Sequence, residues 1–115
     1  MSSRYTEAGQ ELLAKAKRSV YGGDLLQASE KGWGAAAQAV KAVAERRGWR
    51  HDNHRLLYEI ANRLATEASD PEIRTLFSVA SALHTNFYEH WMPEEMVASN
   101  VEKVAELVAR LEALP

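Results

Sequence analysis

Between Tyr5 and Leu111 the apolar residues recur at helical spacing almost without interruption, and no stretch alternates apolar with polar residues in the β-branched manner of a strand. A chain patterned this way hides its apolar residues by laying helix against helix, so an all-α fold is predicted. In a first helix from about 4 to 21, Tyr5, Ala8, Leu12, Leu13, Ala16 and Val20 form one stripe, and Gly22 and Gly23 stop it where the backbone can turn left-handed. Asp24, with Gln27 three residues on, caps a second helix whose buried side is marked by Leu26, Trp33, Ala37, Val40 and Ala44. That helix ends at Gly48, after Arg46 and Arg47, whose charges suit a helix C-terminus.

A third helix follows the turn "RHDN", with Asp52 or Asn53 as its cap, and turns Leu57, Ile60, Ala61, Leu64 and Ala68 inward. Asp70 and Pro71 read as cap and first residue of a fourth, carrying Ile73, Leu76, Phe77, Ala80 and Leu83. Whether it continues through "HTNFYEHW" (84–91) is left open by the pattern. Pro93 opens a fifth helix with the stripe Val97, Val101, Val104, Val108 and Leu111. Connections this short predict an up-and-down bundle of about five antiparallel helices. The glycines in "KGWGAAAQA" (31–39) each cost a helix about 1 kcal/mol relative to alanine, so this stretch is expected to let a neighbour approach closely, with Trp33 filling the remaining space.

A chain of 115 residues with 46% hydrophobic and 26% charged residues is long enough for one self-sufficient core, so a single domain over 1–115 is expected. Without cysteine there is no disulfide framework and no thiolate ligand or nucleophile. The segment "MSSRYTEAGQELL" lacks the apolar run of a signal peptide and no stretch is apolar enough to span a bilayer, so a cytoplasmic location with no membrane partner is expected. The net charge of −2 conceals a gradient: residues 41–63 carry six Lys or Arg against three acids, and 67–115 carry three against nine.

Residues 23–64, "GDLLQASEKGWGAAAQAVKAVAERRGWRHDNHRLLYEIANRL", resemble the HEPN domain in their GD start, a long helix rich in alanine and aromatics, and an HD turn ahead of an amphipathic helix. Residues 82–114 are similar to the end of HEPN proteins, and more narrowly the chain resembles the small single-domain PaREP-like branch. The resemblance implies a helical module of prokaryotic nucleotide- and RNA-related systems, a homodimer, and RNA, a nucleotide or a nucleotidyltransferase as partner. Many HEPN domains place an arginine four to six residues before a histidine and cleave RNA at the dimer interface. No arginine occupies those positions before His90, so the guanidinium that would hold a phosphate is absent and a non-catalytic binding role leads.

The enzyme alternative is a metal-independent endoribonuclease in which His84, Asn86 and His90 form a variant of that site, two imidazoles serving as general base and acid. Against it, His84 lies beside the stripe of Phe77, Ala80, Phe87 and Trp91, where a histidine simply packs; His84 and His90, six apart, point about 240° apart round a helix. A second candidate is "ERRGWRHDNHR" (45–55), in which Arg46, Arg47, Arg50 and Arg55 with His51 would contact phosphates while a base stacks on Trp49; the plainer reading is a solvated basic helix end. His51 and His54, three apart with Asp52 between, permit weak metal binding, but without a third strong ligand no metal and no cofactor are expected. Three tryptophans give more large aromatic surface than one bundle need hide, so a homodimer through an apolar face containing Trp33, Phe87 or Trp91 is expected; a third possibility is a purely structural dimerisation domain.

Overall fold

Polar caps set where the first three helices of this chain start, and prolines precede the other two. The computed structural model describes residues 3–115; Met1 and Ser2, part of the domain expected over 1–115, lie outside them. Ser3 accepts a hydrogen bond from the backbone of Thr6 and opens α1 (Arg4–Tyr21), and Asp24 does the same for Gln27 at the start of α2 (Leu25–Arg47). Gly48 ends α2 in the left-handed conformation at φ 72°, and of the two caps expected for α3 (His54–Glu67) it is Asn53 that holds the Leu56 N–H, at 2.9 Å.

Two junctions depart from expectation. Asp70 does not cap the fourth helix with its side chain: both its carboxylate oxygens take Arg110, at 2.9 and 2.8 Å, and α4 (Glu72–Glu89) starts after Pro71. A charged guanidinium nitrogen, Arg110 Nη1, shared between both oxygens offers more to a carboxylate than one backbone N–H, and the pair ties the start of α4 to the last turn of α5 (Glu94–Glu112). At the other end, α4 runs through most of "HTNFYEHW" and stops at Glu89, where His90 turns left-handed at φ 54°.

The five helices form an all-α bundle in which each packs on its successor, while α1 and α4 also meet α5. Helix α2 runs through the middle, touching the other four. Its burial is therefore wider than the single stripe expected: Ala28, Ala35, Ala36, Ala39, Ala42 and Val43 are all buried, and Leu26 is only half-buried. Small side chains make this possible, because a helix sheathed in alanine admits neighbours on every side.

The glycines of α2 divide accordingly. A Cβ on Gly32 would stand 2.9 Å from Leu83 Cδ1, inside the core, whereas one on Gly34 would meet Leu12, half-buried on α1, at 3.2 Å. Gly34→Ala is therefore expected to be neutral or to stabilise by up to about 1 kcal/mol through helix propensity. Gly32→Val is expected to destabilise by about 1–3 kcal/mol through overpacking, a contrast that denaturant unfolding of the two variants checks.

Candidate functional site

Trp33 stands at the centre of the largest ring cluster in the chain. It projects from the middle of α2 with 7% of its surface exposed, and side chains from two neighbouring helices close round it. His54 and Tyr58 come from α3, Tyr58 stacked at 6.2 Å and His54 edge-on at 5.6 Å; Phe77 and His84 come from α4, His84 stacked at 4.9 Å and Phe77 tilted at 5.5 Å. Spacing along each helix explains the convergence. His54 and Tyr58 are four apart, as are His84 and Tyr88, so each pair shares one face. The rings continue outward from His84 to Tyr88 at 5.4 Å, and Tyr58 is fixed from its far side by a 2.6 Å hydrogen bond between its hydroxyl and that of Ser81.

The cluster grades from core to solvent. Phe77 and Trp33 are buried, His84 is half-buried, and His54, Tyr58 and Tyr88 are exposed, Tyr88 to 69%. Large rings held open at the surface while rigidly backed by a buried tryptophan form a preorganised apolar platform with polar edges. His54 and His84 lie ring to ring at 5.3 Å. Burial pushes the His84 imidazole below its ordinary value, and the nearby charge of His54 pushes it further the same way. The neutral form is thus favoured in the folded protein, and acid below the ordinary imidazole range works against the fold at this residue.

The structure separates the trio His84, Asn86 and His90. Asn86 is 2% exposed and points inward: its Oδ1 accepts the backbone N–H groups of Trp91 and Met92, at 2.8 and 2.7 Å, and its Nδ2 donates to Ser29 Oγ at 2.9 Å. Ser29 in turn donates to the Leu25 carbonyl at 2.8 Å. Asn86 is thus the clasp that turns the chain from α4 into α5, and His90 sits exposed in that turn. Of the aromatics expected on a dimer face, Trp33 is interior, Phe87 is half-buried, and Trp91 is 50% exposed.

The basic turn is more self-satisfied than its letters suggest. Arg46 donates to the Leu114 carbonyl; Arg47 pairs with Glu67 at 2.8 Å and donates to the Pro115 carbonyl; Arg50 pairs with Asp52 and holds that carboxyl below its usual range. Trp49 is half-buried with the Arg63 guanidinium 3.9 Å and that of Arg47 5.2 Å from its ring centre, beside a cavity of about 210 Å³ lined by Leu56, Glu59, Ile60 and Arg63. His51 is held by Glu45 at 2.8 Å and by the edge of Tyr5, so it and His54 do not share a face. The reason is local: His51 precedes the Asn53 cap, and three-residue spacing carries no helical meaning there. Arg55 is exposed on the first turn of α3, next to the ring cluster in sequence.

Sequence spacing does not announce the meeting of His54 with His84, since the two lie 30 residues apart and come together only because both helices flank Trp33. The one signal for it is the aromatic residue four positions on from each histidine, Tyr58 and Tyr88, which marks two helix faces of the same character.

Among the described residues, no helix is long and apolar enough to cross a membrane. The fold is similar to the crystal structure of a Sulfolobus solfataricus protein, with a TM-score of 0.78 and 25% sequence identity over 97% of this chain and 96% of that one. No curated protein matches the chain. The model of the archaeal PaREP1/PaREP8 family matches residues 4–108.

Proposed function

From the premise that the chain belongs to the archaeal PaREP1/PaREP8 family, we propose that it works as a helical interaction module without a catalytic centre of its own, and that it binds single-stranded RNA on the face shared by α3 and α4. The observation that carries this reading is the ring platform on Trp33: Tyr58, His54, His84 and Tyr88 present open faces and edges on one side of the bundle. Every base has a face that stacks on such rings, at about 1–3 kcal/mol per base, and neutral imidazole edges both donate and accept hydrogen bonds. Arg55, exposed on the same helix as His54, supplies a phosphate contact that the paired arginines at 46, 47 and 50 supply less readily.

The wider kinship with HEPN domains, suggested by residues 23–64 and 82–114, belongs to the same proposal. The ribonuclease alternative is weaker, because Asn86 serves the turn and the segment 84–91 contains no arginine. A homodimer built on this side of the bundle would draw on Trp91 and Phe87, since Trp33 is interior.

Fluorescence anisotropy with a labelled, unstructured RNA tests the proposal. Binding is expected to weaken with salt, and Tyr88→Ala, at an exposed position, is expected to weaken it by about fivefold or more, the equivalent of one lost stacking contact. Replacement of Arg46, Arg47 and Arg50 is expected to do less than replacement of Arg55. An unchanged affinity in Tyr88→Ala removes the ring platform from the account, RNA shortened during the assay overturns the non-catalytic reading, and absence of binding at low salt shifts the ligand from RNA to a partner protein such as a nucleotidyltransferase.

A further inference from the structure

We propose that His54 and His84 together bind one first-row divalent cation of the Zn²⁺ or Cu²⁺ type, with water completing its coordination. The site stands independently of whether RNA is the ligand of the surrounding face.

Geometry carries the inference. With a metal–nitrogen bond of about 2.0–2.1 Å and an imidazole radius of about 1.1 Å, each ring centre sits about 3.2 Å from a bound ion, so two rings on one ion are about 4.5 Å apart at a right angle and about 5.2 Å at the tetrahedral angle. The rings of His54 and His84 are 5.3 Å apart, a separation close to the tetrahedral case. Their planes cross at 84°, which leaves a line lying in both planes on which an ion must sit.

The pair is also free and prepared. Among the described residues, His51 is the one histidine with a ring nitrogen hydrogen-bonded to the protein, through Glu45; His54 and His84 keep both nitrogens available. Both rings are braced by Trp33, His84 stacked on it and His54 edge-on to it, so little side-chain freedom remains to be lost on binding. A metal takes the neutral imidazole, the form that burial already favours at His84. The two helix ends near the pair are opposite in sign: α3 begins at His54, and α4 ends about one and a half turns beyond His84. Among the described residues no group of three or more histidines and carboxylates converges on one point, and Asp52, the nearest acid in sequence to His54, is engaged by Arg50. Two protein ligands and exchangeable water therefore make an open site, one at which a ligand atom can replace a water.

Titration of the full chain with Zn²⁺ at pH 7.5, followed through the imidazole proton resonances, tests the site. Saturable binding of one equivalent is expected, with shifts confined to His54 and His84. His54→Ala, at an exposed position that leaves the core intact, is expected to weaken binding by about tenfold or more, and binding should weaken in acid, where protons compete with the metal for the ring nitrogens. In a parallel titration Cu²⁺ should quench the tryptophan emission of the wild type more than that of Trp33→Phe, because Trp33 stacks on a ligand ring. Equal Zn²⁺ affinity in His54→Ala, shifts at His51 or His90 instead, or no saturation at millimolar Zn²⁺ would each overturn the proposal.

Discussion

Replacing Asn86 with alanine is expected to destabilise the protein by about 2–4 kcal/mol, although the change deletes only a small polar group. The side chain satisfies two backbone N–H groups at once, those of Trp91 and Met92, and it anchors the hydroxyl of Ser29 on α2. Alanine leaves the Met92 N–H buried without an acceptor and the turn between α4 and α5 without its link to α2. Leaving a buried donor unmade costs more than making it contributes, so the stranded Met92 N–H dominates the loss. Asn86→Asp keeps the two acceptor contacts and loses the donation to Ser29, so at neutral pH it is expected to lie between wild type and Asn86→Ala. Urea denaturation of the three proteins gives the order directly; equal stability of Asn86→Ala and wild type would show that the turn does not depend on this clasp.

Trp33→Ala is expected to cost about 3–5 kcal/mol, a large part of the stability of a domain this size. The indole is 7% exposed and touches rings from both α3 and α4, the former of which packs only on α2 and α4. Its removal opens a hole where α3 is attached to the rest of the bundle, so α3 is expected to loosen first. Trp33→Phe fills most of the space and should cost less. The measurement that separates a local from a global effect is amide hydrogen exchange, in which Trp33→Ala should lose protection in α3 before it does so in α1 and α5.

Local signals made the helices legible: Asp24 and Asn53 are caps by chemistry, Gly48 turns left-handed because it has no Cβ, and the stripe from Val97 to Leu111 is buried as its period requires. The centrality of α2 was less legible, because a run of alanines has little hydrophobic contrast from one face to another even when every face is covered. The site was least legible. His84, Asn86 and His90 are neighbours in sequence, yet Asn86 turns inward to the backbone of the following loop and His90 is part of that loop. An asparagine a few residues before a helix end and a proline is well suited to such backbone bonding, and that chemistry is the signal that would have set it apart from the histidines. The meeting of His54 with His84 needs a third helix between them, and a spacing rule within one helix does not reach it. The arginines of 46–55 form a basic cluster in the sequence, but the carbonyls of Leu114 and Pro115 and the carboxylates of Glu67 and Asp52 engage Arg46, Arg47 and Arg50 in the fold.

The measurement that bears most directly on the central claim is a two-dimensional NMR titration of the isotope-labelled chain with a short single-stranded RNA at low salt, with backbone and ring resonances assigned. The indole N–H of Trp33 and the rings of Tyr58, His84 and Tyr88 are expected to shift together with one saturation curve, while the turn around Trp49 moves little. Shifts centred on Trp49, Arg47 and Arg50, with the rings around Trp33 unmoved, would contradict this and place the contact surface at the C-terminal end of α2.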